Sequence, residues 1–188
     1  MYNVRHGDSI KMKALILTYE KFQDHEVIYP YYRLTEDNFD VEIVSNKIGR
    51  IHGILGTYME GTHLVEDLSL QKRQSEFLNY DLLVIPGGVK ALEKLRQEKV
   101  ALDFISEWNR LGKVIACICH GAQMLISANV VSNRDISGYY SIRDDISNAG
   151  ANYVDAPVVI SRNIVTSPHY KYMGLWLKTA IDMVKNTK

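Results

Sequence analysis

Cys119 and His120 are adjacent in the segment 115–124, IACICHGAQM, where an apolar run meets a thiol, an imidazole and Gly121 before a helical pattern resumes. A sharp strand-to-helix turn lifts the residue at its apex out of the sheet and needs small neighbours, so the run reads as a nucleophile elbow with Cys119 at the apex. Covalent chemistry on a carbonyl or amide needs a nucleophile, a proton acceptor and donors for the developing oxyanion. Cys119, His120 and the backbone N–H groups of His120 and Gly88 are candidates for those three parts, Gly87 and Gly88 lying directly after the run LLVIP. A helix N-terminus or an imidazolium beside the sulfur lowers a thiol pKa from about 8.5 to roughly 3.5–7.5, which predicts a thiolate at Cys119. The bland alternatives are an inert core thiol and an ordinary Gly-Gly turn.

The elements that must hold these residues follow from the apolar periodicity. Strand signals recur at 14–17, 41–44, 82–85, 114–118, 158–160 and 164–165, and helical spacing covers 24–34, 100–111, 121–128 and 172–184. Such alternation predicts a mostly parallel sheet with helices on both faces, a single-domain three-layer α/β/α sandwich, and sheets of this kind bind ligands beyond the carboxyl ends of their strands. Glu26, Gly87, Gly88 and Cys119 all fall at such ends. Residues 46–70 have glycines but weak periodicity and read as a loop or small hairpin excursion.

At 188 residues the chain suits one domain, which buries around 70% of its unfolded surface. Residues 1–12 read as a flexible N-terminal extension, with Met12 an alternative start, and 13–188 as the α/β domain. The 22 basic and 22 acidic side chains balance, so no general attraction to nucleic acid or acidic membrane is expected, and a small-molecule substrate fits better. Two cysteines, Cys117 and Cys119, are too few for a disulfide framework and suit a reducing cytoplasm. Continuing as strand, they would stand on one face about 6.6 Å apart, near the limit for a bridge. No apolar window has the 18 or more residues of a membrane span. The six histidines form no HExxH or Cys-pair pattern, and neither GxGxxG nor a P-loop appears, so no metal or organic cofactor is expected.

Four separated blocks, LTYEKFQDHEVIYPYYRL, LLVIPGG, ACICHGAQMLISA and SIRDDISNAGANYVD, appear in an order that resembles the PfpI-like branch of the ThiJ/PfpI superfamily. The resemblance spans about residues 13–185. It implies a flavodoxin-like, class I glutamine amidotransferase-like fold and a homodimer or larger assembly. It also implies that Glu26 is a buried, protonated glutamate hydrogen-bonded to the Cys119 sulfur, an arrangement an apolar pocket favours by raising a carboxyl pKa. Glu93 matches, with one inserted residue, an acid that reaches His120 across a subunit interface. The chain departs from the family where a Ser-Arg-x-Pro pattern is expected, reading Thr166, Ser167, Pro168, His169, Tyr170. His169 is therefore a candidate substitute polar group in the pocket. Gly87, Gly88, Gly121, Tyr139 and His169 make up the expected oxyanion and substrate side.

The expected function is that of a PfpI-like cysteine enzyme acting on a small carbonyl, amide or related electrophile, of hydrolase, amidase, glyoxalase or deglycase type. A non-catalytic redox sensor or stress chaperone, with Cys119 oxidised, is the reading from another class. A pathway-specific enzyme with a remodelled pocket, isonitrile hydratase-like for example, is the third.

Overall fold

The computed structural model describes residues 11–69 and 71–187. The proposed extension therefore lies outside the described residues except for its end, and Met12 is the first residue of a strand. The strands are β1 (Met12–Leu17), β2 (Phe39–Ser45), β3 (Gly49–His52), β4 (Tyr58–Gly61), β5 (His63–Leu64), β6 (Leu82–Ile85), β7 (Val114–Ile118), β8 (Asp135–Ile136), β9 (Asn152–Tyr153), β10 (Val159–Ser161) and β11 (Ile164–Ser167). The helices are α1 (Asp24–Glu36), α2 (Gln74–Phe77), α3 (Val89–Leu95), α4 (Lys99–Arg110), α5 (Ala122–Ser127), α6 (Arg143–Asn148) and α7 (Met173–Asn186).

The main sheet has the order β10-β11-β7-β6-β1-β2-β5 and is parallel except for the β10–β11 pair. The period-2 pleat divides each central strand between two cores. Leu15, Leu17, Leu83, Ile85, Ile115 and Cys117 pack toward α2 to α6. Ala14, Ile16, Leu82, Val84, Val114 and Ala116 pack toward α1 and α7. With both faces covered, near-continuous apolar runs such as LLVI and VIACI are what the burial demands. In α4 the spacing of Ala101, Phe104, Ile105 and Trp108 makes one buried stripe, and the Trp108 indole donates to the Val114 carbonyl at 3.0 Å. This is the single-domain, flavodoxin-like α/β fold expected from the sequence.

The excursion at 46–70 is a two-stranded hairpin, β3 against β4, followed by the short edge strand β5 and a 3-10 turn. One side chain fixes its tip. The Asp24 carboxylate, at the start of α1, accepts from Leu55 N–H at 2.8 Å, Thr57 N–H at 3.0 Å and the Thr57 hydroxyl. Thus the same helical turn that carries Glu26 also holds the hairpin beside the carboxyl edge of the sheet.

Candidate active site

Ile118 ends β7 in an extended conformation, and Cys119 then takes φ 60°, a left-handed value that costs a residue with a Cβ about 1–3 kcal/mol. Residues Cys119–Gly121 make a single 3-10 turn before α5 begins at Ala122. The elbow is clamped from both sides. Tyr139 N–H donates to the Cys119 carbonyl at 3.1 Å. A Cβ at Gly121 would lie 2.6 Å from the Ile85 carbonyl oxygen and 3.0 Å from the Cys117 sulfur, so no larger residue fits there. Gly121 is thus a packing requirement of the elbow and does not join the pocket lining. The reversal at Cys119 also separates the two thiols: Cys117 enters the core under α3 to α6, Cys119 the side of α1 and α7, and both are free. The same-face arrangement expected of a continuing strand does not form.

Glu26, on the first turns of α1, is fully buried. Its Oε2 accepts from Gly87 N–H at 2.6 Å, and the carboxyl contacts the Cys119 thiol. Oε1 has no hydrogen-bond partner among the described residues. Burial pushes the Glu26 pKa up to about 7, more than its hydrogen bonds lower it. Gly87 is small because a Cβ would lie 2.5 Å from Glu26 Oε2 and 2.9 Å from Cys119 Cβ. Its N–H is committed to Glu26, which removes Gly87 from the oxyanion donors expected from sequence and makes it the anchor of the carboxyl.

The expected thiolate is not what this environment favours. Burial, then the Glu26 carboxylate, push the Cys119 thiol well above the ordinary cysteine value, against a smaller opposing pull from the His120 backbone N–H. Burial also lowers the His120 pKa, so at neutral pH the ring is uncharged and supplies no imidazolium. His120 Nδ1 is 3.4 Å from Cys119 Sγ, and Nε2 is 3.2 Å from the Ser141 hydroxyl. A neutral ring with its proton on Nε2 donates to Ser141 and presents Nδ1 to the thiol as an acceptor. Ser141 is the orienting group that sequence reasoning missed; it stands 21 positions from its partner in a short 3-10 turn, Tyr140–Ile142, with no spacing signal.

These groups open onto a cavity of about 430 Å³. Cys119, His120, Glu26, Gly88, Tyr139 and His169 all line it, so the structure brings together six of the nine residues singled out from sequence. Gly87 and Gly121 lie behind it. Tyr139 stacks on His120 at 4.6 Å between ring centroids, and His169 on Tyr139 at 6.1 Å. His169 also accepts from Lys171 N–H at 3.1 Å, which fixes its ring as the cap of a 3-10 turn. Ile54 from the hairpin tip and Tyr170 complete the wall; neither was anticipated individually, though Tyr170 adjoins the divergent His169.

Glu93 stands apart. It is exposed on α3, pairs with Lys90 at 3.9 Å, and lines a neighbouring cavity with Val89 and Lys90, which border both cavities. Within one chain it does not reach His120. Among the described residues no group of three or more His, Cys, Asp or Glu is arranged to hold a metal, and no helix is long and apolar enough to cross a membrane.

Comparisons with known proteins bear on the family and the fold. The model of the DJ-1/PfpI family matches residues 12–183. The deglycase PH1704 of Pyrococcus horikoshii is 38% identical over 174 residues, covering 93% of this chain and all of that one. The deglycase PfpI of Pyrococcus furiosus is 37% identical with the same coverage. The crystal structure of a ThiJ/PfpI domain protein from Brachyspira murdochii superposes with a TM-score of 0.84 over 95% of this chain and 99% of that one, at 19% identity, a likeness of fold.

Proposed function

The chain belongs to the DJ-1/PfpI family, in its PfpI-like branch, and we propose that it is an enzyme in which Cys119 attacks a small carbonyl, amide or related electrophile. Glyoxalase-like or deglycase-like chemistry comes first, because two relatives of similar length are named deglycases. The observation that carries the reading is the convergence of Cys119 Sγ, His120 Nδ1 at 3.4 Å and the buried Glu26 carboxyl on one cavity.

At neutral pH both the thiol and the imidazole are uncharged, so the thiol loses its proton as it reacts. Nδ1 of His120 takes that proton while the carbon–sulfur bond forms and the carbonyl π pair moves to oxygen. Ser141 orients the ring, its hydroxyl accepting from Nε2–H when Nδ1 serves as the base. The backbone N–H groups of His120 and Gly88 are the donors assigned to the oxyanion. Glu26 sets the sulfur's charge: protonated, it donates to a thiolate; ionised, it repels one. A cavity of about 430 Å³ suits a small molecule, with Tyr139 and His169 as its substrate-facing wall. In a homo-oligomer, Glu93 at the rim of a partner subunit would add a carboxylate to the His120 side.

An activity panel of methylglyoxal, small amides and isonitriles, run on wild type and Cys119→Ser, tests the assignment. Turnover of at least one substrate, lost in the variant, is expected; equal activity in the two would sink the nucleophile role. Rapid peroxide modification of Cys119 with no turnover of any substrate would replace catalysis with redox sensing.

A further inference from the structure

We propose that the amino-terminal edge of the sheet carries a second site, which binds a small oxyanion of the phosphate class between Arg134 and Arg162. A cavity of about 450 Å³ opens there, lined by Asn109, Val114, Arg134, Arg162, Asn163 and Thr187 among others. Val114 begins β7 and Cys119 follows its end, so five residues of strand, about 16 Å, separate the two sites.

Arg134 is 8% exposed, which is unusual for a guanidinium unless a carboxylate accompanies it. Among the described residues its hydrogen bonds go to neutral oxygens. Nη1 donates to the Ser161 carbonyl at 2.9 Å and to Asn163 Oδ1 at 3.2 Å, and Nη2 donates to Asn109 Oδ1 at 2.9 Å. A guanidinium has five N–H donors, so two of them have no acceptor among the described residues. The influences on its ionisation are burial and repulsion from Arg162; both oppose the charge and no acid among the described residues offsets them. Because the Asn109 carbonyl oxygen is turned to Arg134, its amino group is a further donor.

Arg162 adds an independent observation. It is the first of two residues joining β10 to β11 and has φ 58°, where a Cβ costs about 1–2 kcal/mol and glycine costs nothing. A long cationic side chain at that position accepts a backbone penalty while placing a second positive charge at the mouth of the cavity. Among the described residues that line the cavity, two guanidinium groups and an amide converge with no carboxylate, the donor set that a tetrahedral oxyanion satisfies.

Titration of inorganic phosphate into the whole protein at low ionic strength, followed by calorimetry and thermal unfolding, tests the proposal, with chloride at matched ionic strength and acetate as controls. A saturable rise in Tm with phosphate, not reproduced by chloride or acetate, is expected. Arg162→Gly relieves the left-handed residue, so the ligand-free variant is expected to fold with unchanged or higher Tm while binding phosphate at least tenfold more weakly. Arg134→Lys keeps the charge but loses the fork and is expected to weaken phosphate similarly. Equal responses to phosphate and chloride, acetate binding as strong as phosphate, or wild-type affinity in Arg162→Gly would each overturn the site.

Discussion

The two ends of the sheet bury opposite charges and deal with them differently. At the carboxyl edge, Glu26 is enclosed with one backbone N–H and a thiol, and its pKa rises to about 7. At the amino edge, Arg134 is nearly as enclosed and has only neutral acceptors among the described residues. A carboxyl escapes the cost of burial by taking a proton, and thereby becomes a group that can trade protons near neutrality. A guanidinium has no such escape, because it stays charged at any accessible pH, so its burial calls for an anion. Burial therefore makes a proton-exchanging site at one end and a ligand-binding site at the other.

The largest effect is expected at the reactive end, where His120→Ala removes the imidazole that stands 3.4 Å from the sulfur. A fall in kcat on the order of 10²–10⁴ is expected with little change in KM, as for positioned acid–base groups generally. Unchanged turnover in steady-state assays would move the base role to His169 or to water.

The second effect is on stability. A carboxyl whose folded pKa is raised stabilises the fold most below its ordinary value of 4.5, and that contribution disappears as pH climbs through about 7. The loss is on the order of 3 kcal/mol across that window. Glu26→Gln keeps an acceptor for Gly87 and a donor for the sulfur, so denaturant unfolding at pH 5 and pH 8 should show a much flatter pH dependence than wild type. Equal slopes would mean that Glu26 is already ionised in the fold at pH 5.

Smaller effects concern assembly and the amino edge. If Glu93 serves His120 of a partner subunit, Glu93→Gln lowers kcat by roughly a hundredfold in the oligomer, the low end of acid–base contributions. A fully active monomer by light scattering removes that role. For Arg162→Gly, a gain of up to about 1 kcal/mol in phosphate-free buffer is expected from the relieved backbone. A loss instead would show that Arg162 supports the hairpin by contacts of its own.

The parts that the sequence made legible share a property. β6, β7, α4 and α7 are long or fully apolar enough for periodicity to mark them, and Cys119 and Gly121 carry the steric signature of the elbow. Glu26 was placed through resemblance; its burial, fixed by the Gly87 amide, depends on a contact 61 positions away. Adjacency to His120 and a helix start predict a thiolate at Cys119, but burial and Glu26 outweigh both and favour the thiol. Short elements such as α2, α6, β8 and β9 gain their stability from neighbours and leave little pattern of their own. Ser141 and Ile54 reach the site through a turn and a hairpin tip, where tertiary contacts such as those of Asp24 decide position.

The coupling of Glu26 to Cys119 is tested most directly by the rate of Cys119 alkylation with iodoacetamide, followed by intact mass from pH 5 to 10 in wild type and Glu26→Gln, with fully buried Cys117 as the internal unreactive control. In wild type the rate should rise up to about pH 7, where the carboxyl and thiol have shared out one proton, and then level off until the thiol itself ionises. In Glu26→Gln the levelling near pH 7 should vanish and the rise continue. A wild-type profile without a break near pH 7, superimposable on that of the variant, would contradict the account.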